Sequence, residues 1–116
     1  MMTKIINVSS ALKVFEEVAN LHGLATEQGD YKVANKNYHR IVKSISYLKE
    51  HDLMDSLLNY ICHSSIGVKM WAATYLLPKH ERESLKCLEE IGSIKGIHSL
   101  TAKTTLSEWK RGNLKL

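Results

Sequence analysis

A chain of 116 residues that is 44% hydrophobic and 24% charged, with a single proline, has the size and composition of one domain with its own core, spanning residues 1–116. This excludes a disordered tail and a collagen-like fibre. The formal net charge of +4 is modest, and it divides as zero over residues 1–25, +1 over 26–52 and +3 over 53–116, so no part is an overtly basic arm of the kind nucleic-acid binders carry.

Ser9 or Ser10 can cap a first helix running to about Thr26, with Val8, Leu12, Phe15, Ala19 and Leu21 on its apolar side. Gly29 marks the turn. Asp30 is a good cap for a long second helix to about Glu50, in which Ala34, Ile41, Ile45 and Leu48 follow the helical period. A third helix is predicted over Leu53–Cys62, and the hydroxyls of His63-Ser64-Ser65 can cap a fourth from Ile66 to Leu77, which Pro78 stops. The fifth covers about Glu81–Ile91. After the break at Gly92–Gly96, a sixth runs from Ile97 or His98 to Arg111, with Gly112 suited to its C-terminal cap. No segment alternates like a strand. Met1–Ser10 has only a broken apolar run (Ile5, Ile6, Val8), too short for a signal-peptide core, and Met70–Leu77 falls far below a membrane span, so a cytoplasmic protein without membrane contact is expected.

Leu58, Ile61, Ala72 and Leu76 recur thirty residues later as Leu88, Ile91, Ala102 and Leu106. A helical hairpin used twice at that period is the mark of stacked repeats. The fourth helix, with only Gly67, Lys69 and Thr74 interrupting its apolar residues after Ile66, is expected to be sandwiched; Ala72 and Ala73 permit close helix approach, and Trp71 with Tyr75 forms an aromatic ridge read as core. Trp109 is expected to dock on the last hairpin, with Lys110, Arg111 and Lys115 in solvent.

The run Val68-Lys69-Met70-Trp71-Ala72-Ala73-Thr74-Tyr75-Leu76-Leu77 resembles the second helix of a HEAT repeat. Together with Gly29–Lys36 and Leu106–Gly112, it resembles a bacterial family of small HEAT-like proteins of uncharacterised function, over about residues 20–114. The resemblance implies an all-α, HEAT-like αα-superhelix or solenoid of about six helices in three hairpins. It implies no reaction and no cofactor.

Catalytic patterns are missing from the sequence. His22, His39, His51, His63, His80 and His98 are scattered, with no pair at metal-ligand spacing on one helix, so no metal is expected. His22, seven residues after Phe15, reads as an edge-of-core imidazole. Cys62 and Cys87 sit where helical patterns want apolar residues and read as reduced core thiols without an activating base. Glu16-Glu17, Glu89-Glu90 and Glu81/Glu83 do not make a carboxylate dyad. No enzyme is expected.

Lys32, Lys36, Arg40 and Lys43 fall within roughly 80° of one another on the second helix, opposite Ala34, Ile41 and Ile45. His39 and Tyr47 border this stripe and Asn35 stands beside it, a poor mid-helix residue that a buried hydrogen bond would account for. The candidate contact residues are therefore Lys32, Asn35, Lys36, His39, Arg40 and Lys43. The expected function is a non-catalytic protein-binding module. An anion or nucleic-acid binder using the stripe is the second reading, and an immunity-type inhibitor of a secreted toxin the third.

Overall fold

In a computed structural model that describes residues 4–116, the chain forms five α-helices and one 3₁₀ helix, with no strand among the described residues. Met1, Met2 and Thr3, the start of the stretch read for a signal peptide, lie outside the described residues. The order is α1 (Val8–Gln28), α2 (Tyr31–Glu50), the 3₁₀ helix (Met54–Tyr60), α3 (Ile66–Leu76), α4 (Glu81–Gly92) and α5 (Ile97–Lys110). Among the described residues no helix is long and apolar enough to cross a membrane.

Side-chain caps fix most helix starts. α1 begins one turn earlier than Ser10 suggests, because Asn7 is the cap: its Oδ1 accepts from the Ser10 N–H at 2.8 Å, while Ser10 Oγ accepts from the Asn7 N–H at 3.0 Å. Ser10 is the reciprocal partner in that box. Asp30 accepts from the Val33 N–H and Ser65 from the Val68 N–H, starting α2 and α3 as their sequences predict. Gly29, at φ +71°, closes α1 with the left-handed turn that glycine adopts without strain. Asp52, at φ +56°, takes the same position after α2, and the Leu53 N–H reaches back to Leu48 O at 2.8 Å.

The segment predicted as a helix over Leu53–Cys62 is the 3₁₀ helix. Met54, Leu57 and Tyr60 are three apart, and three residues per turn bring them to one side, against the core. That winding breaks the thirty-residue correspondence at its first member: Leu58 is 37% exposed whereas Leu88 is fully buried. Ala72 and Ala102 are both fully buried, so the later half of the correspondence holds at that position.

α3 lies between two apolar clusters and contributes one face to each. Val68, Ala72 and Leu76, four apart, join Phe15, Val18, Ile41, Leu48 and Leu57 in the first; Met70, Ala73 and Leu77 join Cys87, Leu88, Ile91 and Ala102 in the second. A helix serving two clusters cannot be strongly amphipathic, which is why its sequence is apolar nearly all round. Leu21, predicted for the apolar side of α1, is exposed because the core stripe passes through Val14, Val18 and Ala25 instead. Trp109 packs on the second cluster and its indole N–H donates to Glu81 at 2.7 Å, with Lys110, Arg111 and Lys115 exposed beyond it. The radius of gyration is 13.3 Å, matching the ~13 Å of a compact domain of this length.

Candidate interaction surface

α2 is an edge helix. It packs on α1 along its length and on the 3₁₀ helix at its end, burying Ala34, Asn37, Ile41, Ser44, Ile45 and Leu48. Its opposite side carries the predicted stripe: Lys32, Lys36, His39 and Lys43 are exposed and Arg40 is half-buried. None of the four cations is in a salt bridge among the described residues. Between Tyr31 and Glu50 stand five cations and one acid, a net of +4 that equals the charge of the whole chain. The acids Glu27, Asp30, Glu50 and Asp52 lie only at or beyond the ends of α2, so its middle is uninterruptedly positive.

Asn35 is exposed and does not supply the buried bond its position suggests. That role belongs to Asn37, whose Nδ2 donates to Val33 O at 3.0 Å one turn back, so the amide is satisfied without a tertiary partner. Apolar groups flank the cations: Tyr31 is 76% exposed, and Val33, Tyr38 and Val42 are also exposed. Further along, Ile5 lies beside Val42, Lys43, Ser46, Tyr47 and Glu50, making an open groove on the outer face. The sequence reading found the charges but not these apolar neighbours, whose signal was the break in period that puts Tyr31, Val33, Tyr38 and Val42 off the core stripe.

Where α3 turns outward, rings connect it to α1 and α2. Trp71 and Tyr75 stack at 5.9 Å with 23° between planes, Tyr38 approaches Trp71 at 5.8 Å, and the Lys49 ammonium lies 5.9 Å from the Tyr75 ring centre. The Trp71 indole N–H donates to His22 Nδ1 at 3.4 Å, which leaves the His22 proton on Nε2. Burial lowers the pKa of His22 below its ordinary value, and nearby His98 adds to this. Burial pushes the Tyr75 hydroxyl up to about 12, with Tyr38 contributing. The predicted aromatic ridge is thus half-buried at the rim of the core.

Three histidines join helices through carboxylates. His63 Nε2 donates to Glu16 at 2.8 Å while its Nδ1 accepts from the Ser65 N–H at 2.9 Å; His80 pairs with Asp55 at 2.8 Å; His98 pairs with Glu27 at 3.0 Å. Each links elements distant in sequence, a pairing that one-dimensional spacing does not reveal. Among the described residues no three His, Cys, Asp or Glu side chains gather as a metal site. Of the two cysteines, only Cys87 is a core thiol: burial pushes it up to about 11, with Lys69 opposing and Glu90 and Cys62 reinforcing, and its S–H points toward Ile61 O at 3.6 Å and Lys69 O at 3.8 Å. Cys62 is exposed: it lies in the turn that follows the 3₁₀ helix and not in the helix expected over Leu53–Cys62.

No protein family, characterised protein or solved structure that was compared with the chain matches it.

Proposed function

We propose that this protein is a non-catalytic, cytoplasmic binding module of HEAT-like αα-superhelical type, and that it holds an acidic protein partner on the outer face of α2. The observation that carries the reading is a net charge of +4 on one edge helix whose cations have no salt-bridge partner among the described residues. A surface of that kind attracts acidic partners over a Debye length of roughly 8 Å at physiological salt and speeds their encounter. The exposed Tyr31, Val33, Tyr38 and Val42 favour a protein over a bare polyanion, since they supply apolar area that phosphates do not use.

Charge reversal on the stripe tests the reading. Lys36→Glu with Arg40→Glu should leave the circular dichroism spectrum and melting temperature nearly unchanged, because Lys36 is exposed, Arg40 is half-buried at the edge of the helix's outer side, and neither is in a salt bridge among the described residues. The same pair should weaken capture of the natural partner at low and at moderate salt; capture unchanged at both salts, with the fold intact, refutes the proposal. Nucleic acid is the second reading, favoured by the unbroken run of cations on α2. It predicts binding to a random-sequence duplex with a logarithmic salt slope of about −3 to −4 for four phosphate contacts.

A further inference from the structure

The two thiols are far apart in sequence, yet the fold sets Cys87 of α4 against the turn that carries Cys62. Cys62 is the third residue of that turn, which the His63 N–H closes by donating to Tyr60 O at 3.1 Å. Ile61, just before it, packs on both apolar clusters, and its carbonyl oxygen lies 3.6 Å from Cys87 Sγ. No peptide bond among the described residues is cis, and a trans bond sets that oxygen about 2.8 Å from the Cys62 Cα. Cys87 Sγ therefore lies within roughly 6.5 Å of the Cys62 Cα. A thiol is a weak donor, so the contacts of Cys87 with Ile61 O and Lys69 O, at 3.6 and 3.8 Å, give up little when its proton leaves.

We propose that Cys62 and Cys87 are a redox pair: hydrogen peroxide oxidises the exposed Cys62, and Cys87 resolves the product into an intramolecular disulfide that ties α4 to the turn before α3. The Cys62 sulfur, its proton passed to water, attacks one peroxide oxygen; the O–O bond breaks, hydroxide leaves, and the residue becomes a sulfenic acid. The Cys87 sulfur then attacks the Cys62 sulfur and displaces hydroxide, and the two thiol protons convert the two hydroxides to water. The thiols lose two electrons in all, and one peroxide is reduced to two waters. Exposure fixes the order of events. Burial pushes the Cys87 thiol up to about 11, so it keeps its proton and is shielded from peroxide until Cys62 has reacted. Proximity then offsets its small thiolate fraction, because attack within one chain is unimolecular and a sulfur of high pKa is the stronger nucleophile. Rotation about the Cα–Cβ bond of exposed Cys62 and a small shift of its turn bring the sulfurs to bonding distance. The bond restrains the α4–α5 hairpin on the second cluster, to which Cys87 belongs.

The test treats the reduced chain with about a tenfold molar excess of hydrogen peroxide, removes the excess with catalase, and alkylates the remaining thiols with iodoacetamide after denaturation. Mass spectrometry should find a monomer lacking two hydrogens, closed to alkylation, with a Cys62–Cys87 linked peptide that dithiothreitol releases. Under the same treatment Cys87→Ala should hold a sulfenic acid at Cys62 that dimedone traps, and Cys62→Ser should keep Cys87 as a free thiol. Exchange of the α4 amides should be about tenfold slower or more in the linked protein than in the reduced one, since the bond must be carried through any opening of the hairpin. Two thiols still free, or Cys62 ending as a sulfinic acid or an intermolecular dimer while Cys87 stays open to alkylation, overturns the pair. This result is read on the parent and does not depend on the folding of Cys87→Ala. Oxidation of Cys87 in Cys62→Ser overturns the order of events, and a linked protein whose α4 exchanges as fast as the reduced form overturns the restraint.

Discussion

Gly23 and Gly67 meet backbone to backbone where α1 crosses α3, so closely that a methyl built on Gly23 would lie 3.1 Å from the Gly67 Cα. A methyl on Gly67 would come within 2.4 Å of Ala19 O, closer than carbon and oxygen pack. Gly67→Ala therefore forces the two helices apart, and overpacking of this kind costs about 1–3 kcal/mol. At roughly 4 °C per kcal/mol the melting temperature should fall by several degrees. Gly23→Ala should lose less, since its contact is only slightly tight and alanine is favoured in a helix interior by about 1 kcal/mol. Thermal melts of the two variants check the order, and a Gly67→Ala protein as stable as the parent contradicts the crossing.

The two halves of the sequence repeat should respond unequally to truncation. Leu88→Ala removes a fully buried side chain of the second cluster and should cost about 2–5 kcal/mol. Leu58→Ala, at the corresponding exposed position, should cost less than about 1 kcal/mol. Urea titrations read both, and equal losses would mean that Leu58 is packed like its counterpart.

Thiol reactivity should divide cleanly. Cys62 is exposed, whereas Cys87 is buried and its thiol is held protonated by a pKa pushed up to about 11. Iodoacetamide at pH 8 should add one label to the native protein, on Cys62, and a second only after denaturation. Peptide mass spectrometry locates the labels; early modification of Cys87 counts against its burial.

His22 makes stability depend on pH with a defined sign. Its folded pKa lies below the ordinary value near 6.5, so just below that pH the unfolded chain binds the proton more tightly and folding is disfavoured. The contribution is present above about pH 6.5 and is lost as the pH falls through the window down to the folded value. His22→Gln should therefore narrow the difference in melting temperature between pH 7.5 and 5.5. Identical pH dependence in parent and variant would show that His22 titrates alike in both states.

The helical class, the Asp30 and Ser65 caps, the stop at Pro78 and the two-sided burial of α3 were legible because each depends on neighbours within a turn or two. The stripe was legible for the same reason, as an arrangement on one helix. The 3₁₀ helix was not, since Leu53, Leu57 and Ile61 satisfy a four-residue spacing while Met54, Leu57 and Tyr60 satisfy three, and only packing chooses between them. The histidine–carboxylate links join residues that only the tertiary fold brings together. Two mid-chain glycines in otherwise good helices did leave a trace of their crossing, because glycine in a helix interior is disfavoured unless close approach requires it.

Because α3 supplies one wall to each apolar cluster, the protein is expected to unfold as two cooperative units with a common member. Opening of the α4–α5 hairpin with α1, α2 and α3 still packed would expose the second cluster and break the His80–Asp55 and His98–Glu27 links. In native-state hydrogen exchange the amides of α4 and α5 should then escape by a partial opening of lower free energy than global unfolding. The α3 amides that face both clusters should wait for the whole chain to unfold, making this eleven-residue helix the slowest-exchanging segment of the protein.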